Sequence, residues 1–436
     1  MTRKTRLAVI GAGTAGLTAI KQAQHVTDDI VLINEGPLGT TCARVGCMPS
    51  KALLAPAHAY ARRSFMAQTG VRGTEGLSID LPAVLAHVRR LRDRFVAGPI
   101  RAAQALGDRY ISGQARFLGP NTLEVNGERI EAQSIIIATG SRPILPKPWK
   151  ALGQRVLTSD DIFEQKDLGR RVAVVGLGAI GAELGQALAQ LGLQVIGLTR
   201  SDTVAGLSDP EVSDALIDSL RNSMQVHTGV DVELQAVGDT GVRVQAGEQH
   251  FEVDWVLASL GRRPNLDSLG LEALGVHLDD HGMPDFDRDT LRIGDHSIYI
   301  AGDVNAMRPV LHEAADEGRI AAYHALHPDA ASVGRRTSLG IVFTEPSAAR
   351  VGQTHAELKG QDIVVGESLF SDQGRSLIEG RNAGRLRVYL GCSRGHLLGA
   401  ELVAPDGEHL AHLLAWAIQH KLTIDEILQL PFYHPV

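Results

Sequence analysis

Two glycine-rich turns, 165 residues apart, constrain the fold of this chain more than any other feature. The first, Gly11-Ala-Gly-Thr-Ala-Gly16, follows the apolar run Leu7–Ile10 and precedes a helical stretch that we predict over Leu17–Gln24. The second, Gly176-Leu-Gly-Ala-Ile-Gly181, follows Arg171–Val175 in the same way. A single turn of this kind is weak support for a nucleotide-binding site, because glycine turns are common. The alternative interpretation is that both turns occur by coincidence and bind no nucleotide. Two turns between a strand and a helix predict an α/β protein with two Rossmann-like dinucleotide-binding domains.

The first turn is followed by an acidic residue at the spacing that a ribose contact requires. Gly11, Gly13 and Gly16 let the backbone approach a pyrophosphate at the helix N-terminus, where unpaired N–H groups favour an anion. The next apolar run, Ile30–Ile33, ends in Asn34-Glu35. Glu35 lies 19 residues after Gly16 and is placed to accept hydrogen bonds from a ribose.

The second turn differs at the position of that acid. Gly176, Gly178 and Gly181 repeat the pyrophosphate pattern, but the strand Gln194–Leu198 is followed by Thr199-Arg200 and not by a carboxylate. An arginine can pair bidentately with a 2′-phosphate, which favours NADPH over NADH. The alternative is a solvated surface arginine.

Two of the three cysteines, Cys42 and Cys47, lie only 26 residues after Gly16. In a regular helix, residues five apart have Cα atoms about 8–9 Å apart, whereas a disulfide needs Cα atoms within roughly 7 Å. If the two cysteines bond, the chain between them cannot be an undistorted helix. We therefore predict an irregular turn, with backbone freedom from Gly46, before a helix through Lys51–Leu54. A thiol pair near a nucleotide site is suited to the transfer of two electrons between a cofactor and a disulfide. The alternatives are two ordinary buried thiols or a structural disulfide.

Composition narrows the class of protein. A length of 436 residues indicates more than one domain. A net charge of −7 without a basic run argues against nucleic-acid binding. No window approaches 18 uninterrupted apolar residues, so we expect no membrane contact. Three cysteines exclude a disulfide-framework domain. We expect a cytoplasmic protein, in which a disulfide is usually catalytic or redox-sensing, and we assign no metal site.

The order of these motifs resembles the flavin-dependent pyridine nucleotide–disulfide oxidoreductases, which include dihydrolipoamide dehydrogenase, glutathione reductase and mercuric reductase. The resemblance covers nearly the whole chain. Besides the two glycine turns, it rests on the Cys42-x4-Cys47-x-Pro-Ser-Lys51 segment, Ala138-Thr-Gly140, Gly261-Arg-Arg-Pro264, Ala301-Gly-Asp303, Phe343-Thr-Glu-Pro346 and His434-Pro435. It implies an FAD-binding domain over 1–150, an NAD(P)-binding domain over 151–265, a central segment over 266–334 that completes the FAD site, and a C-terminal α/β interface domain over 335–436.

The resemblance also implies catalytic roles. Cys47 matches the cysteine that faces the flavin as a charge-transfer thiolate, and Cys42 matches the interchange thiol that attacks the substrate. Lys51 and Glu183 match an ion pair near flavin N5. His434 matches a catalytic acid/base that acts from the partner subunit of a homodimer.

Cofactor contacts follow from the resemblance in the same way. The implied FAD contacts are Gly11, Gly13, Gly16, Glu35, Thr41, Ala138, Thr139, Gly140, Gly302 and Asp303. The implied NAD(P) contacts are Gly176, Gly178, Gly181, Arg200 and Gly261.

The predicted activity is an FAD-dependent NAD(P)H:disulfide oxidoreductase that resembles dihydrolipoamide dehydrogenase and acts on a small dithiol or disulfide, with lipoamide as the first candidate. The segment His312–Gly318 also looks like that branch, whereas Arg200 favours an NADPH-dependent reductase similar to glutathione reductase. A flavin-bound redox sensor with little turnover, and an NAD(P)H oxidase-like flavoprotein with an idle disulfide, are the other hypotheses.

The chain departs from the family pattern at several positions. Thr40 stands where the family has a second glycine, and Arg44 stands where it has an asparagine. The family glutamate that orients the histidine lies five residues beyond it, whereas this chain ends two residues beyond His434. We therefore expect a missing C-terminal tail, and the alternative is a histidine that works without this partner. Cys392 is interpreted as a packed thiol. The absence of terminal vicinal cysteines and of a metal-binding repeat argues against mercuric ion as substrate.

Overall fold

The computed structural model describes residues 2–435 of the chain. The helices are α1 Thr14–Ala23, α2 Thr41–Arg44, α3 Cys47–Ala61, α4 Arg63–Gln68, α5 Leu81–Gln104, α6 Lys147–Lys150, α7 Ala179–Gln190, α8 Pro210–Arg221, α9 Leu311–Leu326, α10 Gly374–Glu379, α11 Gly407–Gln419 and α12 Ile424–Leu428. The strands are β1 Thr2–Ile10, β2 Ile30–Asn34, β3 Tyr110–Ser112, β4 Ala115–Gly119, β5 Thr122–Val125, β6 Glu128–Ile137, β7 Ser141–Pro143, β8 Val156–Leu157, β9 Arg171–Val175, β10 Gln194–Leu198, β11 Gln225–His227, β12 Val232–Val237, β13 Gly241–Ala246, β14 Gln249–Val253, β15 Trp255–Ala258, β16 Arg262–Pro264, β17 Ile298–Ile300, β18 Leu339–Val342, β19 Ser347–Gly352, β20 Ile363–Leu369, β21 Arg385–Gly391 and β22 Leu397–Ala404.

The chain forms two compact units. The first unit comprises the chain up to Pro49, Arg90–Pro143 and Arg262–Arg335. The second unit comprises Ser50–Arg89, Ile144–Gly261 and the chain from Arg336 onward. Each unit therefore contains segments that are distant in sequence. No helix within residues 2–435 combines the length and the apolar character needed to cross a bilayer.

A mixed sheet forms the centre of the first unit. Its strand order is β3-β2-β1-β6-β5-β4, with β17 paired in parallel to the C-terminal part of β6. The inner strands β1, β2 and β6 each contain a run of buried apolar residues, which is typical of parallel strands covered on both faces. Side chains of α1 and α9 pack on one face. Leu266, Leu269, Leu271 and Leu274 pack on the other.

The second unit contains a parallel sheet and two antiparallel sheets. The parallel sheet has the order β11-β10-β9-β15-β8, and α7 connects β9 to its parallel neighbour β10. The strands β12, β13 and β14 form an antiparallel sheet whose apolar face joins the same core. The C-terminal part is an antiparallel sheet of order β18-β19-β22-β21-β20, on which α11 packs.

The predicted fold class is confirmed. Both glycine turns connect a parallel strand to a helix, and β9 and β10 have the predicted bounds. The first helix begins at Thr14, three residues earlier than the apolar pattern suggested, because the glycines at its start carry no side chain to mark a face. The C-terminal part is an α/β domain, as predicted.

Candidate active site

The first glycine turn is a cradle that only glycine can form. Gly11 has φ +111°, and a Cβ there would lie 2.2 Å from the carbonyl oxygen of Ala138. A Cβ at Gly16 would lie 1.9 Å from the carbonyl oxygen of Gly11. Gly13 is the N-cap of α1 and has no side chain to accept from the first N–H groups of the helix. The turn therefore fits a pyrophosphate, which would accept from these N–H groups.

A cleft of about 220 Å³ lies in the first unit beside this turn. Gly11, Glu35, Thr139 and Arg142 are among the residues that line it. The Glu35 carboxylate accepts a hydrogen bond of 3.3 Å from Gln114 and faces a space in which a ribose can be held. The preceding Asn34 was not predicted, yet its side-chain oxygen accepts from Ala12 N at 2.9 Å and so fixes the turn.

The predicted segment Ala138–Gly140 is tied to a residue that sequence analysis missed. Thr139 Oγ1 donates to Asn265 O at 2.7 Å, and Asn265 Nδ2 donates to Thr139 O at 2.9 Å. Asn265 N also donates to Gly140 O at 2.9 Å. Asn265 directly follows the Gly-Arg-Arg-Pro motif, which was the available signal. These bonds fix the wall of the cleft.

Asp303 is held by a second unpredicted pair. Gly302 has φ +83° and begins a short 3₁₀ turn over Asp303–Asn305. The Oδ2 of Asp303 accepts from Ser141 Oγ at 3.0 Å, and Ser141 Oγ accepts from Arg262 Nε at 2.9 Å. The Asp303 carboxylate is thus oriented by Ser141 and Arg262.

The chain between the cysteines is not a regular helix, as the disulfide argument predicted. Helix α2 carries Cys42 and ends at Arg44, and a new helix, α3, begins at Cys47. A Cβ at Gly46 would lie 3.1 Å from the Cα of Cys42. The reason for glycine is this close approach, and not the backbone freedom that we expected. Thr40 caps α2 by accepting from Ala43 N at 3.2 Å, which gives the departure at Thr40 a structural role.

The cysteines differ in exposure. Cys47 is exposed and Cys42 is partly buried, and no disulfide joins them in the structure. The alternative of two buried thiols is therefore wrong for Cys47. Cys392 is also exposed, so its interpretation as a packed thiol was wrong; a hydrogen bond with Asp362 raises the pKa of its thiol. The Nε of Arg44 is buried with no protein group in hydrogen-bonding range.

Lys51 and Glu183 form an ion pair in the second unit. Lys51 Nζ lies 2.9 Å from each carboxylate oxygen of Glu183, whose side chain is 8% exposed. Glu183 also accepts from Phe343 N at 2.8 Å. The Lys51 ammonium lies 4.4 Å from the centre of the Phe343 ring, a cation–π contact. The sequence analysis used Phe343 only as the first residue of the Phe343-Thr-Glu-Pro346 motif and did not predict its contacts with Glu183 and Lys51. The role of the pair beside a flavin stays a prediction.

The second glycine turn reproduces the geometry of the first. Gly176 has φ +93°, and a Cβ there would lie 2.3 Å from the carbonyl oxygen of Ser259. A Cβ at Gly181 would lie 1.9 Å from the carbonyl oxygen of Gly176. Gly178 is the N-cap of α7, as Gly13 is of α1. A second pyrophosphate therefore fits this turn.

Three predicted residues lie farther from these turns in sequence. Gly261 has φ +101° and accepts from Ile144 N at 3.0 Å. Arg200 is 86% exposed and its Nε lies 2.6 Å from Asp231 Oδ1, a carboxylate that sequence analysis missed. His434 is exposed in the segment that follows α12. The roles of Arg200 and His434 stay predictions.

Two Rossmann-like domains, with a cysteine pair in the unit that carries the first nucleotide turn, define a class of dinucleotide-dependent thiol oxidoreductases. Comparison with known proteins gives the family. Residues 5–322 match the pyridine nucleotide-disulphide oxidoreductase family, and residues 339–436 match the dimerisation domain of that family. The chain belongs to this family. It is an FAD-dependent oxidoreductase that acts on a sulfur group with NAD(P) as its partner.

Relatives and solved structures agree with this placement. The chain is 31% identical to mercuric reductase from Staphylococcus aureus, over 97% of this chain and 78% of that protein. It is 30% identical to dihydrolipoyl dehydrogenase from Bacillus subtilis, over 99% of this chain and 94% of that protein. Its fold is similar to that of LpdA from Mycobacterium tuberculosis, with a TM-score of 0.85, 26% identity, and 99% and 97% of the two chains covered. The flavoprotein disulfide reductase RclA from Escherichia coli has the same fold, with a TM-score of 0.85, 23% identity, and 100% and 97% of the two chains covered.

Proposed function

We propose that this protein transfers two electrons from NAD(P)H to a small disulfide through the Cys42–Cys47 pair, as a dihydrolipoamide dehydrogenase-like enzyme. The observation that carries the proposal is the break between α2 and α3, where a Cβ at Gly46 would lie only 3.1 Å from the Cα of Cys42. A disulfide between Cys42 and Cys47 requires such a departure from a regular helix. Lipoamide is the first candidate substrate. The family's dimerisation domain supports a homodimer.

The domain roles follow the family order. Residues 1–150 bind FAD, 151–265 bind NAD(P), 266–334 complete the FAD site, and 335–436 form the dimer interface. FAD, when bound, supplies the two-electron passage between the nicotinamide and the disulfide. The glycine cradle at Gly11–Gly16, with Glu35 and Asp303, would hold it, since these groups offer N–H donors to phosphates and carboxylates to sugar hydroxyls.

The chemistry on the protein side is thiol–disulfide exchange. The Cys42 thiolate attacks the substrate disulfide, forms a mixed disulfide and releases one substrate thiolate, which takes a proton. The Cys47 thiolate then attacks the Cys42 sulfur, which forms the Cys42–Cys47 bond and releases the second substrate thiol. NAD(P)H restores the dithiol, so that one hydride and one proton reduce one disulfide. His434 of the partner subunit holds or releases the proton of Cys42.

The second candidate function is an NADPH-dependent reductase of a small disulfide, which Arg200 favours. Its guanidinium is exposed at the end of β10, where it can meet a 2′-phosphate. Asp231 already binds the same guanidinium, and its negative charge disfavours a 2′-phosphate at that position. Stopped-flow reduction of the flavin with NADPH and NADH tests this candidate, and a large preference for NADH excludes it.

A substrate panel tests the proposed function directly. Lipoamide, glutathione disulfide and an aromatic disulfide are assayed with each nicotinamide, using the wild type and Cys42→Ser. Cys392→Ser is the matched control because that thiol is exposed but lies outside the proposed site. We expect turnover by the wild type and by the control, and loss of turnover in Cys42→Ser with flavin reduction retained. Oxidase activity that is unchanged in Cys42→Ser, without disulfide turnover in the wild type, would support an idle disulfide.

A further inference from the structure

A buried carboxylate on α9, Glu317, is bonded to the turn that carries Asp303. Glu317 Oε2 accepts from Gly302 N at 2.7 Å and from Asn305 Nδ2 at 2.7 Å. These two donors lie at either end of the Gly302–Asn305 turn. The side chain of Glu317 is 1% exposed, so it cannot exchange these bonds for water. One oxygen therefore fixes the turn at two points.

Arg335 compensates the buried charge of Glu317. Its Nη2 donates to Glu317 Oε1 at 2.6 Å and to Glu313 Oε2 at 2.9 Å. Burial works against the charge of Arg335, but its hydrogen bonds with Glu317 and Glu313 outweigh burial, and its pKa is raised. Both oxygens of Glu317 are thus used, one by the turn and one by the arginine. A buried carboxylate with this set of partners is held in one position.

The Gly302–Asn305 turn packs against α1, the helix that follows the first glycine turn, so a shift of the Gly302–Asn305 turn would displace α1. Gly302 has φ +83°, and a Cβ there would lie 2.9 Å from the Cβ of Ala15, in the first turns of α1. Gly318, next to Glu317, lets α9 approach the backbone of α1, since a Cβ there would lie 2.2 Å from Ala15 O. The Glu317 contact is therefore made within the same packed layer as the first glycine turn.

We propose that Glu317 is a positioning residue for the cofactor: it holds the Gly302–Asp303 turn so that the Asp303 carboxylate and the N-terminus of α1 meet FAD together. The proposal rests on the FAD role assigned to Asp303 under the proposed function. It also gives a role to the His312–Gly318 motif, whose pattern had only suggested a branch of the family. Glu317 acts through the backbone of the turn and does not itself need to touch the flavin.

The test compares Glu317→Gln with Glu313→Gln. Glutamine at position 317 can accept from the turn or from Arg335, but not from both. Glu313 is as well buried and shares Arg335, yet its other partner is Arg308 and not the turn. Each apoprotein is prepared without flavin and titrated with FAD, with flavin fluorescence as the readout of Kd. Thermal unfolding of each apoprotein is measured alongside.

We expect FAD to bind at least about tenfold more weakly to Glu317→Gln, as loss of a charge-assisted hydrogen bond implies, and less than about threefold more weakly to Glu313→Gln. Equal FAD affinity in both variants, with equal losses in unfolding temperature, would overturn the proposal and leave Glu317 as a fold-stabilising residue. If Glu317→Gln does not fold, Asn305→Ala is used in its place. This substitution removes the hydrogen bond between Asn305 and Glu317 and keeps the Glu317–Arg335 pair. Unchanged FAD affinity in Asn305→Ala also overturns the proposal. Absence of disulfide turnover in the wild type would reject the proposed function but would not alter these affinities.

Discussion

Lys51 Nζ lies 2.9 Å from both carboxylate oxygens of Glu183, and the carboxylate is almost fully buried. The pair joins α3, which begins at Cys47, to α7, which begins at the second nucleotide turn. Glu183 also receives the backbone N–H of Phe343, so three segments of the second unit meet at one carboxylate. The carboxylate therefore fixes the position of the Lys51 ammonium in the structure.

Replacing Glu183 by glutamine should weaken both the fold and the reaction. The amide keeps the shape but loses the charge that holds Lys51, so we expect a loss of about 1.5–3 kcal/mol in unfolding free energy. We also expect slower reduction of the flavin by NAD(P)H. Urea unfolding and stopped-flow absorbance measure the two effects. Glu252→Gln is the control, because its ion pair with Arg243 is exposed to solvent and should contribute little to stability. Flavin reduction at the wild-type rate in Glu183→Gln would contradict the assigned role.

Arg387→Leu should destabilise the second unit strongly. Asp209 is fully buried, and Arg387 Nη1 contacts its two oxygens at 2.8 and 2.9 Å. Removing the arginine leaves a buried charge with only neutral donors, which costs about 3–5 kcal/mol. Chemical denaturation gives the difference, with Arg243→Leu as the exposed counterpart. Similar small losses in both variants would show that the buried pair does not stabilise the fold.

Gly46→Ala should disturb the thiol pair while the fold persists. An alanine Cβ would meet the carbonyl oxygen of Thr41 at 3.0 Å and the Cα of Cys42 at 3.1 Å, so the segment must shift. We expect disulfide turnover to fall several-fold, with FAD binding close to that of the wild type. Gly374→Ala is the matched substitution, since no atom lies within 4 Å of its Cβ position and its φ is not positive. Full turnover in Gly46→Ala would show that the close approach is not needed.

His58 should make stability depend on pH below about pH 6.5. Burial lowers the pKa of His58 from its ordinary value of 6.5, against the opposing effect of Glu345. The unfolded chain therefore binds a proton at this site at higher pH than the folded chain does. The contribution to stability is complete above pH 6.5 and is lost as the pH falls through the lowered pKa of the folded state.

Urea unfolding between pH 5 and 7.5 measures this dependence. We expect the slope of unfolding free energy against pH to be smaller in His58→Gln than in the wild type. His25→Gln, which changes an exposed histidine, should keep the wild-type slope. An identical slope in all three proteins would rule out this assignment.

Sequence analysis predicted the parts of the site that depend on local geometry. The glycine turns could be recognised because a Cβ at Gly11 or Gly176 is excluded by a backbone carbonyl directly after a neighbouring strand, and this requirement recurs wherever the turn does. The break between Cys42 and Cys47 followed from the reach of a disulfide. Both arguments need only a short stretch of chain, which is why the structure agrees with them.

The side chains that orient the site could not be predicted in this way. Ser141 reaches Asp303 across 162 residues of sequence, and Arg200 meets Asp231 across 31. These partners are brought together by sheet order, and no local pattern records which polar groups will meet. Cys392 was misjudged for the same reason. Its position in the turn after β21 leaves the thiol exposed, and the surrounding sequence does not indicate this.

Thiol trapping tests the central claim most directly. The FAD-loaded protein is oxidised, divided, and treated anaerobically with NAD(P)H or buffer, then alkylated under denaturing conditions and digested for mass spectrometry. We predict an intramolecular Cys42–Cys47 disulfide in the buffer sample and two alkylated thiols at these positions after NAD(P)H, with Cys392 alkylated in both. A Cys42–Cys47 segment whose alkylation is the same with and without NAD(P)H would contradict the account.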